Sequence, residues 1–183
     1  MDPTSPHAEF LALYRPVHER LVKYCSSNGY GIIDTDDLVQ EAVLATMQQF
    51  SRIREKEKLL SYMISVANHI VYNALRRKKF NGAYNEKAFD RLKAVTADPD
   101  IALDMHHLYV ALNKLPVRDK EAILLFEISG YSIQEIAGIQ NSSEGAIKTR
   151  LSRARKKLTE LFSGEFQQKK SPAGIAQLFL MMM

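Results

Sequence analysis

The sequence has little of several residue types on which common functions depend. Cys25 is the one cysteine in 183 residues, so no internal disulfide can form, and a cytoplasmic location is expected. Tryptophan is absent, only eight residues are glycine, and nothing resembles a phosphate-binding loop or a nucleophile elbow. No apolar run approaches the roughly 20 residues that span a bilayer. Residues 1–10 lack the basic start and apolar run of a signal peptide.

These absences disfavour a membrane protein and an enzyme of the common nucleotide-dependent or hydrolytic types. His106 and His107 have no cysteine or histidine partners at metal-ligand spacing, so neither a metal nor another cofactor is expected. Leu21, Val22 and Tyr24 before Cys25 are apolar or aromatic, which predicts a buried thiol rather than a redox centre.

Charge is present but unevenly distributed. Residues 1–80 carry 11 basic and 9 acidic side chains, residues 81–105 carry 3 and 5, and residues 106–183 carry 11 and 7. This basic, acidic, basic order suits two modules that face nucleic acid, joined by a segment that avoids it.

The most informative segment is a basic helix near the C-terminus. Residues 148–157 contain six basic side chains and no acidic one, while Ile147, Leu151, Ala154 and Leu158 recur at helical spacing. The pattern predicts that this apolar face packs on a core while the basic side chains point outward. Upstream, Ser132 and Glu135 form a capping-box pattern for a short helix, and Ser143 can cap the basic helix. Helix, tight turn and basic helix make a helix-turn-helix, whose second helix enters the major groove of DNA.

The remaining periodic segments also predict helices, and no convincing β-hairpin pattern is found. We expect helices at about 8–26, 36–49 and 59–79, with a loop at 51–58. Residues 81–105 lose this periodicity and are predicted to be a flexible, acidic linker, after which a second helical domain begins near Met105. The predicted fold is therefore all-α, with two small helical domains at 8–80 and 106–163, the helix-turn-helix in the second, and a tail at 164–183 of unknown role.

Three motifs in this order resemble bacterial RNA polymerase sigma factors. They are DDLVQE at 36–41, SYMISVAN at 61–68 with the later LRR at 75–77, and the segment from LP at 115–116 through SIQEIA at 132–137 to EGAIKTRLSRAR at 144–155. The layout of two domains without a large middle domain resembles the extracytoplasmic function (ECF) class. The resemblance implies a non-enzymatic subunit that directs core polymerase to promoters and helps to open them.

The resemblance also implies a docking helix for polymerase. In such proteins the DLVQE helix binds the clamp of the largest subunit, and the second domain contacts the flap of the second subunit. Here the implied clamp contacts are Asp37, Leu38, Gln40, Glu41 and Leu44. Exposed carboxylates and amides suit a basic partner, although a capped surface helix would carry the same residues.

The helix at 59–79 and the loop before it resemble the part that melts the minus-ten promoter element. There a base is flipped out of the duplex, which requires apolar contact and polar groups for the base edge. The implied contacts are Ile53, Tyr62, Asn68, His69, Asn73, Arg76, Arg77, Lys78 and Lys79. His69 stands where the family often has asparagine, and Tyr62 where many members have tryptophan, so the captured base is not implied. Core packing is an equally good interpretation of Tyr62.

The second domain resembles the part that binds the minus-thirty-five element as duplex. The implied contacts there are Ser143, Glu144, Ala146, Lys148, Thr149, Arg150, Ser152, Arg153, Arg155 and Lys156. Among these, Arg150, Arg155 and Lys156 are expected on phosphate, and Lys148, Thr149, Ser152 and Arg153 on base edges or the groove.

Several alternatives remain open from the sequence. The acidic linker could lie in the polymerase cleft, as in the family, or be a plain solvated tether. An anti-sigma factor is expected by resemblance to the ECF class. The main rival function is an autonomous helix-turn-helix regulator that binds duplex DNA without polymerase. A nuclease is a more distant rival, because Asp36, Asp37 and Glu41 on one helix do not converge well on a metal ion.

Overall fold

The computed structural model describes residues 6–78, 90 and 99–165. These residues form α-helices and short 3-10 turns, and no strand occurs among them. The chain divides into two compact units, residues 1–83 and 84–183, which confirms an all-α protein with two helical domains. Most of the predicted linker, the tail beyond residue 165, Lys79 and the side chain of Lys78 lie outside the described residues.

The first unit is built from four α-helices in its described part. They are α1 (Pro6–Tyr14), α2 (His18–Gly29), α3 (Thr35–Gln49) and α4 (Leu59–Lys78). Helices α2, α3 and α4 pack on one another. Their shared core contains the fully buried side chains of Leu21, Tyr24, Leu38, Met63 and Ile64. Burial of these apolar surfaces is the main stabilising contribution to the unit.

The single helix predicted at 8–26 is wrong, because the chain forms two helices there. A 3-10 turn at Arg15–Val17 separates α1 from α2. Pro16 lies in this turn, has no backbone N–H to donate, and would clash with the preceding helical turn. The second helix then continues to Gly29, beyond the predicted end at Ser26. Gly31 adopts a φ of 68°, which a residue without Cβ reaches freely, and the chain turns there towards α3.

The expected buried thiol is confirmed. Cys25 is 0% exposed in the first unit. Burial raises the pKa of its thiol to about 12, so the nucleophilic thiolate is disfavoured.

Two short 3-10 turns, Phe50–Arg52 and Lys56–Lys58, lie in the segment predicted to be a loop. Phe50 is buried and packs edge-on against Phe10 of α1, with 5.3 Å between ring centroids. Lys56 lies over the Phe50 ring and pairs with Glu9 at 2.7 Å. The connection between α3 and α4 is thereby tied to α1.

The second unit contains α5 (Pro99–Asn113), α6 (Val117–Glu127), α7 (Ile133–Ile139) and α8 (Glu144–Glu165). The prediction that its first helix starts near Met105 is wrong, since α5 begins at Pro99. Proline is favoured in the first turn of a helix, where its missing N–H has no partner to lose, so Pro99 suits the start of α5. Ala102, inside the predicted linker, is fully buried.

The helix-turn-helix consists of α7, a turn and α8. Ser132 and Glu135 form the predicted capping box, with both reciprocal hydrogen bonds present. The Ser143 hydroxyl accepts from the Ala146 backbone N–H at 3.2 Å, which confirms the second predicted cap. Between them Asn141 adopts a φ of 45°, a left-handed conformation that asparagine tolerates better than most residues. None of the described helices is long and apolar enough to cross a membrane.

A buried lysine makes the stability of the second unit depend on pH. Lys120 is 5% exposed and its ammonium donates to Asn113 Oδ1 at 2.8 Å. Burial lowers the pKa of Lys120 from 10.5 to about 7, against an opposing effect of Glu121. Between these two values the folded state binds fewer protons than the unfolded state. The contribution of this group to stability therefore rises with pH across that window.

We predict that Lys120→Met stabilises the second unit at pH 7, because methionine removes the cost of burying an ammonium group. The gain should shrink as pH rises towards 10, where unfolded Lys120 also becomes neutral. Urea unfolding of both proteins at several pH values measures this difference. Lys157→Met, at an exposed site, is the control and should show no such trend; a pH-independent gain at position 120 would contradict the prediction.

Candidate nucleic-acid interface

The orientation of α8 is set by its apolar stripe. Ile147, Leu151, Ala154 and Leu158 are at most 3% exposed and face the rest of the second unit. Successive residues of an α-helix are about 100° apart, so the positions opposite this stripe are fixed by geometry. They are Gly145, Thr149, Ser152 and Lys156, all of which are exposed. We call these four residues the outward row.

The other predicted upstream-element contacts flank this row. Lys148 and Glu144 are exposed on one side, and Ala146 is half-buried on the other. The Thr149 hydroxyl donates to the backbone oxygen of Gly145 at 2.9 Å, so its methyl and remaining lone pair are available outward. The predicted residue Ser143 holds the helix start through its hydroxyl.

Three arginines of α8 make contacts within the domain, which corrects the prediction that all its basic side chains point outward. Arg150 Nη1 donates to Gln140 Oε1 at 2.6 Å and to Ser142 Oγ at 3.0 Å. Arg153 pairs with the buried carboxylate of Asp119 at 3.0 Å.

Arg155 pairs with Glu127 at 2.8 Å, and its guanidinium lies 5.4 Å from the ring centre of Phe126. Local sequence patterns do not predict these pairings, because the acidic and amide partners lie 10 to 34 residues away in the chain.

A second candidate surface lies on α4. Tyr62, His69, Asn73 and Arg76 recur at spacings of three, four and seven, which places them on one side of the helix. His69 and Arg76 are exposed, and Tyr62 and Asn73 are half-buried. His69 Nδ1 lies 3.3 Å from Asn73 Nδ2. An amide nitrogen can only donate, so this contact requires the tautomer in which Nδ1 accepts and the outer Nε2 carries the proton.

Further exposed groups lie beside this α4 face. Tyr72 is 50% exposed, and Arg77 is exposed near the end of the helix. Asn68 makes contacts within the first unit: its Oδ1 accepts from the Tyr24 hydroxyl at 2.6 Å and from Asn28 Nδ2 at 2.9 Å. Both lone pairs of that oxygen join α2 to α4, which disfavours the oxygen as an acceptor for a base edge.

The loop before α4 contains two arginines that the sequence analysis overlooked. Ile53, the predicted apolar contact, is half-buried, and Arg52 and Arg54 on either side of it are exposed. This arrangement suits a flipped nucleotide: its base can pack on the apolar side chain while the two guanidinium groups bind the phosphates on either side of it. Their position directly next to Ile53 in the sequence is the pattern from which they could have been predicted as phosphate contacts.

Helix α3 presents most of the predicted polymerase contacts on one face. Asp37, Gln40, Glu41 and Leu44 follow the i, i+3, i+4, i+7 pattern and are all exposed, Leu44 by 54%. Asp34 caps the helix by accepting from the Asp36 N–H at 2.9 Å. Leu38 is a correction: it is 0% exposed and packs under α2, where a Cβ on Gly29 would lie 3.0 Å from its Cδ2. It cannot contact a partner without unfolding of the core.

No cluster of three or more potential metal ligands occurs in the described ranges, where Asp36, Asp37 and Glu41 all lie. The metal-nuclease interpretation of these three carboxylates therefore has no geometric support.

Two family profiles match the chain, one in each unit. The profile described as Sigma-70 region 2 matches residues 10–80, and the one described as Sigma-70, region 4 matches residues 106–158. Together they cover more than half of the chain.

Similar proteins agree with these profiles. An ECF RNA polymerase sigma factor, EcfG of Rhodopseudomonas palustris, is 26% identical over 69% of this chain and 70% of its own length. The RNA polymerase sigma factor CarQ of Myxococcus xanthus is 29% identical over 72% of this chain and 76% of its own. In fold, the chain is similar to the sigma factor RpoE, solved in complex with the anti-sigma factor NepR from Bartonella quintana. That likeness has a TM-score of 0.62 and 22% identity, and it covers 84% of this chain and 98% of RpoE.

The two helical units, the helix-turn-helix and these matches define a transcription initiation factor. The chain belongs to the RNA polymerase sigma factors of the ECF class.

We predict that Leu38→Ala and Leu44→Ala, two identical changes on α3, differ in their effect on stability. Leu38→Ala should lower the free energy of unfolding of the first unit by about 3 kcal/mol, because it leaves a cavity in the core. Leu44→Ala should change it by less than about 0.5 kcal/mol, because the side chain is exposed. Urea unfolding followed by hydrogen exchange of α3 peptides measures both values, and equal effects would refute the assignment of Leu38 to the core.

Proposed function

We propose that the first unit docks on core RNA polymerase through α3 and captures the melted minus-ten strand with α4 and its preceding loop. Within the second unit, the predicted domain at residues 106–163 reads the minus-thirty-five element through the outward row of α8 and binds the flap of the second subunit. The single observation that carries this proposal is that each family-matched unit presents an exposed, chemically suitable face at the positions named above.

The docking proposal rests on the composition of the exposed α3 face. Leu44 supplies an apolar anchor, with Gln40 and Glu41 one helical turn before it and Asp37 two turns before it on the same face. An exposed apolar side chain beside charged and polar groups is typical of an interface in which the apolar group contributes affinity and the charges steer association. The partner is the basic clamp of the polymerase largest subunit.

The minus-ten proposal rests on complementary groups on α4 and the loop. Ile53 contacts the face of a flipped base, and Arg52 and Arg54 bind the phosphates beside it. His69 offers an Nε2–H donor and Asn73 a carbonyl acceptor to base edges exposed by melting. Arg76, Arg77, Lys78 and Lys79 bind backbone phosphate at the edge of the opened duplex.

The minus-thirty-five proposal rests on the outward row. Thr149 and Ser152 carry small hydroxyl side chains that fit closely against base edges and thymine methyl groups. Lys148 and Lys156 add positive charge at the two ends of this short surface. Arg153 is 63% exposed despite its pairing with Asp119, so its free nitrogens can still approach the groove.

The protein acts without chemistry of its own, since the polymerase forms the RNA and no cofactor is needed. As a sigma factor it works in the cytoplasm, where polymerase and DNA meet. Because the similar protein RpoE was solved with an anti-sigma factor, we also propose that an anti-sigma factor masks this chain until a signal arrives. Co-purification from uninduced cells tests this masking, and full activity of the protein with no recovered partner would refute it.

Run-off transcription tests the function as a whole. Core polymerase, with and without the purified protein, is given a mixture of genomic fragments. Discrete transcripts that require the protein support the proposal, and their start sites reveal the promoter. If no such transcripts form and the protein alone binds duplex DNA tightly, the results would support an autonomous regulator instead.

We predict that Leu44→Asp weakens binding to core polymerase by about tenfold or more, because it replaces the apolar anchor with a charge. Leu103→Asp is a matched control, since Leu103 is 43% exposed on the other unit. Competition with a labelled sigma factor for core polymerase measures both affinities. Equal weakening by the two variants would rule out a specific role for α3.

We predict that Lys156→Met lowers the slope of log affinity against log salt by about one, because one phosphate contact is lost. Arg155→Met should change the slope much less, since Glu127 already pairs with Arg155. Binding of holoenzyme to promoter duplex at several salt concentrations measures the slopes. The reverse order of effects would contradict the proposed orientation of α8.

A further inference from the structure

A buried glutamine lies at the centre of the helix-turn-helix. Gln140 follows the last residue of α7 and is 4% exposed. Its Nε2 donates to the backbone oxygen of Arg118 at 3.0 Å and to Glu121 Oε2 at 3.2 Å, both on α6. Its Oε1 accepts from Arg150 of α8 at 2.6 Å. One side chain therefore joins three helices.

The backbone of the same residue completes the network. The Gln140 carbonyl oxygen accepts from Arg118 Nη1 at 2.7 Å and from the Ser142 hydroxyl at 3.1 Å. The Ser142 oxygen also accepts from Arg150 Nη1 at 3.0 Å. Every link is within hydrogen-bonding distance, so the turn, α6 and α8 are connected through a closed set of directional contacts.

This network limits how α8 can rotate about its own axis. The apolar stripe of α8 holds the helix against the core, but apolar packing is non-directional and tolerates small rotations. Side chains end about 5–6 Å from a helix axis, so a rotation of roughly 10° displaces them by about 1 Å. A shift of that size is enough to lose precise base contacts. Arg150 is adjacent to Thr149 of the outward row, so holding its guanidinium fixes the direction of that row.

We propose that Gln140 is a positioning residue for promoter recognition, which holds Arg150 and thereby sets the rotation of α8 against DNA. This inference rests on the proposed function of the second unit. Arg150 is then an internal support and not a phosphate contact. The amide suits this position because it both donates and accepts: methionine would do neither, and a carboxylate would lack the donors and face Glu121.

The test uses full-length protein in holoenzyme, with Gln140→Met, Arg150→Met and the double variant. Gln134→Met, at an exposed glutamine on α7, is the matched control. The readout is the ratio of initiation rates on an intact promoter and on one with a scrambled upstream element. Gln140→Met should lower this ratio by about tenfold, within the range lost with one base-pair contact. Arg150→Met should give the same loss, and the double variant no further loss, because the two residues act as one unit.

Other outcomes separate the possible explanations. Three results would each overturn the proposal. The ratio of initiation rates could be unchanged in Gln140→Met, the losses of the two single variants could add in the double variant, or the initiation rate could fall equally on both promoters. A salt slope reduced by about one in Arg150→Met would also overturn it, since that is the effect of a lost phosphate contact. If wild-type protein itself failed to distinguish the two promoters, the proposed function would be wrong rather than the positioning role.

Discussion

The second unit depends on the burial of one apolar stripe on α8. Ile147, Leu151, Ala154 and Leu158 are spaced so that they can be removed from water together only in one orientation of the helix. Once that orientation is adopted, helical geometry places Thr149, Ser152 and Lys156 opposite the core. The surface that we propose faces DNA is therefore a consequence of core packing, since no separate interaction is needed to expose these residues.

The basic side chains of α8 differ in their contacts, which the composition of the helix does not show. Half of the basic side chains between 148 and 157 are arginines paired inside the domain, with Gln140, Asp119 and Glu127 as partners. Arginine suits such contacts because its planar group donates several hydrogen bonds in fixed directions. The lysines at 148 and 156 remain on the exposed surface. The three arginines therefore link α8 to the rest of its unit, whereas these two lysines contribute exposed positive charge that we propose attracts DNA.

The sequence predicted most of the helices, the capping box at Ser132, the Ser143 cap and the faces of α3 and α8, because helical periodicity and caps are local patterns. It failed at Pro16 and Pro99, where one proline interrupts a predicted helix and the other begins a helix inside a predicted linker. It also did not predict the burial of Leu38 or the contacts that Asn68 and the arginines of α8 make inside their units. Their roles depend on which helix lies beside them, and that information is carried by residues distant in the chain.

The most direct test of this account is photo-crosslinking from α8 in a promoter-bound holoenzyme. A photoreactive amino acid replaces Thr149 in one protein and Arg155 in another, and crosslinks to DNA are mapped. The account predicts strong crosslinking to upstream promoter bases from position 149 and little from position 155, which lies beside α6. Stronger crosslinking from position 155 would show that α8 presents a different face to DNA and would contradict the account.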